Sequence, residues 1–323
     1  MSTPLLSLSH LCVDFATRHG TVKVLDGVSF DIGRGEIIGI IGESGSGKSV
    51  TAYSVMGILD QAGQVASGDI TFEGRSLLAM SRAQRDAWRG AEASIIFQNP
   101  RTALNPIRTV GDQIADVIAR HTGAKPAEVR ARALDALRQV RIPDPERRLK
   151  AWPFELSGGL CQRIGIAMAL ACSPKLLIAD EPTTGLDVTT QAVIMDLIRT
   201  LARESGMSVA LITHDLALAA EYCDRLVIMH AGHVVETGTT AEIIDSPRHP
   251  YTARLLRSVP SLVDSLDQLQ AIDGSLPDLR RADLPPCRFA ERCPQRVAAC
   301  DAAGRLAPLA LSPTHLVACR NLA

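Results

Sequence analysis

IIGIIGESGSGKS, residues Ile37 through Ser49, decides the fold class of this 323-residue chain. Its first five residues are a short apolar run of the kind buried in a parallel sheet. GESGSGKS follows, and the pattern from Lys48 to Leu59 reads as a helix. Gly42, Gly45 and Gly47 let the backbone curl so that successive N–H groups face inward as an anion nest. The helix N-terminus adds a dipole favourable to phosphate. Lys48 is spaced to reach β- and γ-phosphates and the Ser49 hydroxyl to ligate Mg²⁺, with Glu43, Ser44, Ser46 and Val50 completing the loop. A glycine-rich turn that matches by accident is the alternative, and a strand before with a helix after argues against it.

Working outward, strand signals stand at Val28–Phe30, Asp69–Phe72, Ser94–Phe97, Leu176–Ala179, Val209–Thr213 and Leu226–Met229, while Asn99 to Gly165 turns helical. Strand, helix and strand again imply a doubly wound α/β core with a helical insert. KLLIADEP narrows the chemistry. Its apolar run delivers Asp180 to the carboxyl end of a buried strand, where open α/β sheets place ligands. Asp180 is placed to hold the Mg²⁺ shell and Glu181 to polarise an attacking water. Two carboxylates at a solvated strand end would be the plain reading, and the P-loop weakens it.

LSGG at Leu156–Gly159, with Gln162-Arg163 and a helix after it, resembles the signature of ABC ATPases. Alone, LSGG is an ordinary helix N-cap with a Gly turn. Upstream of an LLIADEP strand it becomes diagnostic. The resemblance covers about Leu5 to Gly238. It implies a P-loop, RecA-like ABC ATPase core with a helical subdomain, which binds ATP and Mg²⁺ and hydrolyses ATP in a dimer. Leu156, Ser157, Gly158 and Gly159 would then clasp the γ-phosphate presented by the opposite subunit. Gln98 in IIFQNP matches the Q-loop, which links Mg²⁺ and water to the helical insert. Asp187 in GLD matches the D-loop at the dimer seam, and His214 in LITHD the switch histidine. Phe15 is the candidate for stacking on adenine, or equally a core residue of the first hairpin. Leu160 departs from the family, which commonly has Gln or Met there; the serine and both amides are retained.

FQNPRTALNP (Phe97–Pro106), HPYTARLL (His249–Leu256) and a cysteine-bearing tail are similar to the oligopeptide and dipeptide (and nickel) importer branch. That likeness implies a second, paralogous ATPase in a heterodimer, two transmembrane permease subunits and an extracytoplasmic substrate-binding protein. The expected division is a core of residues 1–98 and 166–241, a signature subdomain 99–165, and a small Cys/Pro-rich C-terminal domain 242–323. In the tail Cys287, Cys293 and Cys300 follow a Cys-x5-Cys-x6-Cys spacing, with Cys319 eighteen residues beyond. Four thiolates satisfy a 4Fe–4S cluster or a structural Zn²⁺; four reduced cysteines in a Pro-stapled segment are the alternative. The other four, Cys12, Cys161, Cys172 and Cys223, read as core or surface residues.

Composition sets the outer limits. Lys+Arg 34 against Asp+Glu 35 gives a net charge of -1, so no global basic field points to nucleic acid. No segment approaches the roughly 18 apolar residues that span a bilayer, and the N-terminus lacks the features of a signal peptide. The expected place is peripheral, on the cytoplasmic face of the inner membrane. Two other classes compete: a soluble ABC ATPase of translation or repair, and another P-loop enzyme such as a kinase. The first commonly carries two cassettes or long coiled coils, and the second has no use for LSGG.

Overall fold

The computed structural model describes residues 3–262, 265–302 and 304–322. The chain divides into two compact units: Met1–Leu78 with Leu211–Ala323, and Ala79–Ala210.

The first unit holds a four-stranded antiparallel sheet. Leu6–Thr17 and Gly20–Ile32 form a long hairpin, with Thr17 opposite Gly20 and Leu6 opposite Ile32. Gly63–Phe72 lies along the other edge of Leu6–Thr17, and the short Arg75–Ser76 completes the sheet. Leu6 and Leu8 alternate inward, then the register shifts before Leu11 and His10 takes a positive φ of 49°. A bulge of this kind re-aims the following side chains, and here it lets Leu11, Cys12 and Val13 all be buried.

In the same unit Ile37–Ile41 runs parallel to Arg225–His230, with Ile38 opposite Arg225 and Ile41 opposite Ile228. All five residues of Ile37–Ile41 are buried, as their unbroken apolar character requires of a strand covered on both faces. Arg225–His230 then pairs antiparallel with His233–Thr239. The helix Lys48–Met56 is shorter than the expected span to Leu59. Gly57 takes φ 63° and returns its N–H to the carbonyls of Tyr53 and Ser54, which stops the helix there.

The tail has few regular elements, but its last strand, Leu316–Val317, extends the sheet beside His233–Thr239, and Leu309–Ala310 pairs beyond it. Buried Arg288 donates to the Ala231 carbonyl and ion-pairs with Asp26, and Arg305 donates to the same carboxylate at 2.9 Å. Side chains, rather than continuous secondary structure, tie the tail into this unit.

The second unit pairs Ala93–Ile96 in parallel with Leu176–Asp180. Its helices include Val110–Thr122, Pro126–Gln139, Gly158–Leu170 and Val188–Ser205. Val110, Ile114 and Ile118 are buried at four-residue spacing, as are Val129, Ala133 and Leu137, the stripe an amphipathic helix turns inward. Among the described residues no helix is long and apolar enough to cross a membrane.

Candidate active site

The P-loop leaves its strand at Gly42, where a Cβ would lie 2.1 Å from the Met229 carbonyl oxygen. Only glycine fits so close an approach. Gly47 has φ 104°, and a Cβ there would stand 2.6 Å from Leu25. These two positions set the curl, and the helix starting at Lys48 follows directly. Lys48 is 5% exposed, and its ammonium donates to the carbonyls of Gly42 (2.7 Å) and Glu43 (3.0 Å). The lysine is thus folded back across the loop it would share with phosphate. Ser46 is fully buried, and among the described residues its hydroxyl oxygen finds no hydrogen-bond partner. Ser44 and Gly45 are exposed; Ser49 and Val50 are half-buried. His214, exposed, follows the strand Ser208–Thr213 just before Asp215, which caps the helix Leu216–Tyr222. Phe15 lies on the antiparallel sheet opposite Val22 and Gly63, and its ring leaves no room for a Cβ on Gly63.

In the second unit Asp180 ends the strand Leu176–Asp180 and is 1% exposed. Glu181 then takes a left-handed φ of 47°. For a non-glycine residue that backbone is costly, and such strain gathers where a side chain must be aimed. The turn presents the Glu181 carboxylate to two donors: the Gln98 side-chain amide at 2.7 Å and the Thr184 hydroxyl at 2.9 Å. Two residues that the sequence reading placed in one reaction are in direct contact.

The signature is assembled beside the D-loop. Ser157 caps the helix Gly158–Leu170, its hydroxyl accepting from the Leu160 N–H at 3.4 Å. Leu156 is buried and anchors the turn. A Cβ on Gly158 would contact Leu186, and one on Gly159 would crowd Thr190 at 3.2 Å. Asp187 caps the helix Val188–Ser205, accepting from the Thr190 N–H and hydroxyl, and those bonds hold its carboxyl below the usual range. LSGG and the D-loop therefore form one small-residue surface in this unit.

In the first unit Cys287, Cys293, Cys300 and Cys319 line one small cavity of about 10 Å³ together with His249. Burial raises the Cys287 thiol to about 11. Among the described residues, no group of three or more His, Cys, Asp or Glu is disposed to hold a metal ion. The four cysteines thus share one cavity, in an arrangement that shows neither the expected 4Fe–4S cluster nor its Zn²⁺ alternative.

Residues 25–184 match the ABC transporter family, and residues 235–300 match the oligopeptide/dipeptide transporter C-terminal region. Dipeptide transport ATP-binding protein DppD of Bacillus subtilis is 48% identical over 297 residues, 92% of this chain and 88% of that protein. Its Escherichia coli namesake is 46% identical over 299 residues, covering 92% and 91%. The chain belongs to the ABC transporter ATPase family. Its fold agrees: the ATP-binding cassette MJ0796 bound to ADP and Pi matches with a TM-score of 0.66 at 27% identity, covering 73% of this chain and 98% of that one. CbiO1 of Clostridium perfringens, part of the ABC transporter complex cbiONQ, matches at 0.65 and 30%, covering 76% and 92%.

This ABC ATPase also carries contacts at the P-loop that sequence reasoning did not foresee. The Glu43 N–H donates to the Tyr251 hydroxyl at 3.1 Å, and the Glu43 carboxylate receives the Arg292 guanidinium at 2.8 and 2.9 Å. Burial pushes the Glu43 carboxyl up, but His230 and Arg292 beside it outweigh that and bring it to about 2. Tyr251 was visible in sequence as part of HPYTARLL. Arg292 stands 249 residues from its partner, and nothing in its own neighbourhood announces the pairing.

Proposed function

We propose that this ABC ATPase drives the import of di- and oligopeptides, working from the cytoplasmic face of the membrane as one of two paralogous ATPases beneath two permease subunits. The observation that carries this reading is the match of residues 235–300 to the oligopeptide/dipeptide transporter C-terminal region. The relatives named for dipeptide transport support it. A substrate-binding protein outside the membrane would deliver the peptide. Four large apolar side chains exposed between Phe97 and Phe154 suit docking on membrane-spanning partners: Phe97, Ile107, Trp152 and Phe154, with the last two stacked at 6.3 Å. In this reading residues 1–98 and 166–241 do the nucleotide chemistry, 99–165 carry the signature, and 242–323 belong to the importer branch.

Catalysis is assigned residue by residue. The P-loop amides and Lys48 hold the β- and γ-phosphates, and Phe15 stacks on adenine. Ser49, Gln98 and Asp180 offer oxygen donors throughout, the chemistry that suits Mg²⁺, which when bound neutralises charge on the triphosphate. Glu181 takes a proton from the water that attacks the γ-phosphorus as the bond to the ADP oxygen breaks. Gln98, already bonded to Glu181, aims that carboxylate, and His214 stabilises the departing phosphate. Ser157 with the Gly158 and Gly159 amides closes on the γ-phosphate of the partner subunit, and Asp187 lines the seam. For the tail the proposed group is a 4Fe–4S cluster on Cys287, Cys293, Cys300 and Cys319, with a structural Zn²⁺ as the alternative; the Cys-x5-Cys-x6-Cys spacing and the cavity the four share support it. The cluster would supply order to a segment with little core of its own.

The test is ATP turnover in membranes reconstituted with the permeases, the second ATPase and the binding protein. Di- and oligopeptides should stimulate turnover. Stimulation by Ni²⁺ and not by peptides would move the assignment to the metal-importing members of the branch.

A further inference from the structure

Glu43 lies inside the P-loop, and three elements from the C-terminal third converge on it. Arg292, 6% exposed, meets both carboxylate oxygens, at 2.8 Å to Oε2 and 2.9 Å to Oε1. This fork-to-fork geometry fixes orientation as well as charge. The same guanidinium donates through Nε to the Asp273 carbonyl at 2.8 Å and lies over the Phe289 ring at 5.8 Å. It is thereby held from both sides. Tyr251, fully buried, accepts the Glu43 N–H. His230, also fully buried, stands 3.6 Å from Glu43 Oε2 and packs against Tyr251 and Phe289 at 4.5 and 5.3 Å between ring centres. Two residues along the loop, a Cβ on Gly45 would stand 3.2 Å from Leu276. The tail grips the loop by side chain, by backbone and by packing.

We propose that Arg292 is a positioning residue of the nucleotide site: it neutralises and orients Glu43, so that the tail sets the affinity of the P-loop for ATP. This rests on the assignment of Gly42–Ser49 as the phosphate-binding loop. The electrostatic need is direct. A carboxylate within the loop repels an incoming triphosphate, and at 28% exposure water screens that charge only in part. Arg292 cancels that charge and turns the carboxylate toward the tail. Tyr251 in turn engages the Glu43 N–H, leaving the later amides of the loop for phosphate.

The experiment measures ATP affinity and the split between KM and kcat for the full chain in its assembled transporter. Arg292→Ala should raise the Kd and KM for ATP about tenfold, between the scales for exposed and for fully buried ion pairs, with kcat changed less than twofold. Arg292→Lys should recover part of the loss. Adding Glu43→Gln to Arg292→Ala should restore affinity, because it removes the charge that Arg292 answers. A tail that had merely come loose would not be rescued by Glu43→Gln, and absence of that rescue would overturn the proposal. Wild-type affinity in Arg292→Ala, alongside lost binding in Lys48→Ala, would also overturn it while leaving the P-loop assignment intact. Undiminished binding in Lys48→Ala would instead count against the loop itself.

Discussion

In Gly42–Ser49 the backbone itself carries the geometry. Glycines stand where a Cβ would strike Met229 or Leu25, and the lysine folds across the loop they create. In the tail, 3-10 turns and two-residue strands leave the backbone with little regular hydrogen bonding of its own, and order comes from side-chain tethers. Arg288 and Arg305 reach Asp26, Arg292 reaches Glu43, and buried His315 meets Glu236 at 2.7 Å. One region is specified locally and the other by partners from 79 to 279 residues away. The difference predicts how each should fail: the loop through its own residues, the tail through loss of any one anchor.

The sharpest way to break that comparison lies at LSGG, the other locally specified site. Ser157 sits exposed at a helix start, so a bulky cation there should spare the fold. Ser157→Arg is expected to abolish ATP-driven association of the two ATPases, a loss of at least about a hundredfold, while ATP binding by the isolated subunit stays close to wild type. Calorimetry and light scattering on the same sample read both. Equal loss of monomer affinity would make LSGG a purely structural turn.

A smaller effect should come from the tail. The proposed cluster would give anaerobically purified protein a broad absorption near ~400 nm, which Cys300→Ser is expected to bleach. Because Arg292 adjoins Cys293, the same change should weaken ATP binding by a few-fold through Glu43 and spare kcat. Iron, sulfide and zinc analysis of the wild-type protein sharpens the result. Zinc without iron would change the metal, and four freely alkylated thiols with neither would remove it.

The legible parts of the molecule were those whose geometry is written in neighbouring residues. Ile37–Ile41 reads as a buried strand because every residue in it is apolar or glycine, and Leu176–Asp180 because its run ends abruptly in a carboxylate. Helix starts at Lys48 and Gly158 were marked by the glycine loop and the serine cap. Leu6–Thr17 was legible only as a first hairpin around Phe15, since its bulge at His10 breaks the alternation that signals a strand. His233–Thr239 escaped because Gly238 and its polar residues resemble a turn. At the site, Gln98 and Glu181 were both named and do meet. The clasp on Glu43 was out of reach, because ion pairs across such a separation leave no local pattern.

Glu181 is the proposed base that activates water, aimed by its bond to Gln98 and by a left-handed backbone. Glu181→Gln in the assembled transporter tests this most directly, with Mg-ATP binding and single-turnover hydrolysis measured side by side. The carboxamide keeps the shape and loses the proton acceptor. Binding should remain within about twofold of wild type, while hydrolysis falls by at least about a hundredfold and the nucleotide-bound dimer accumulates. Hydrolysis near the wild-type rate would contradict the assignment.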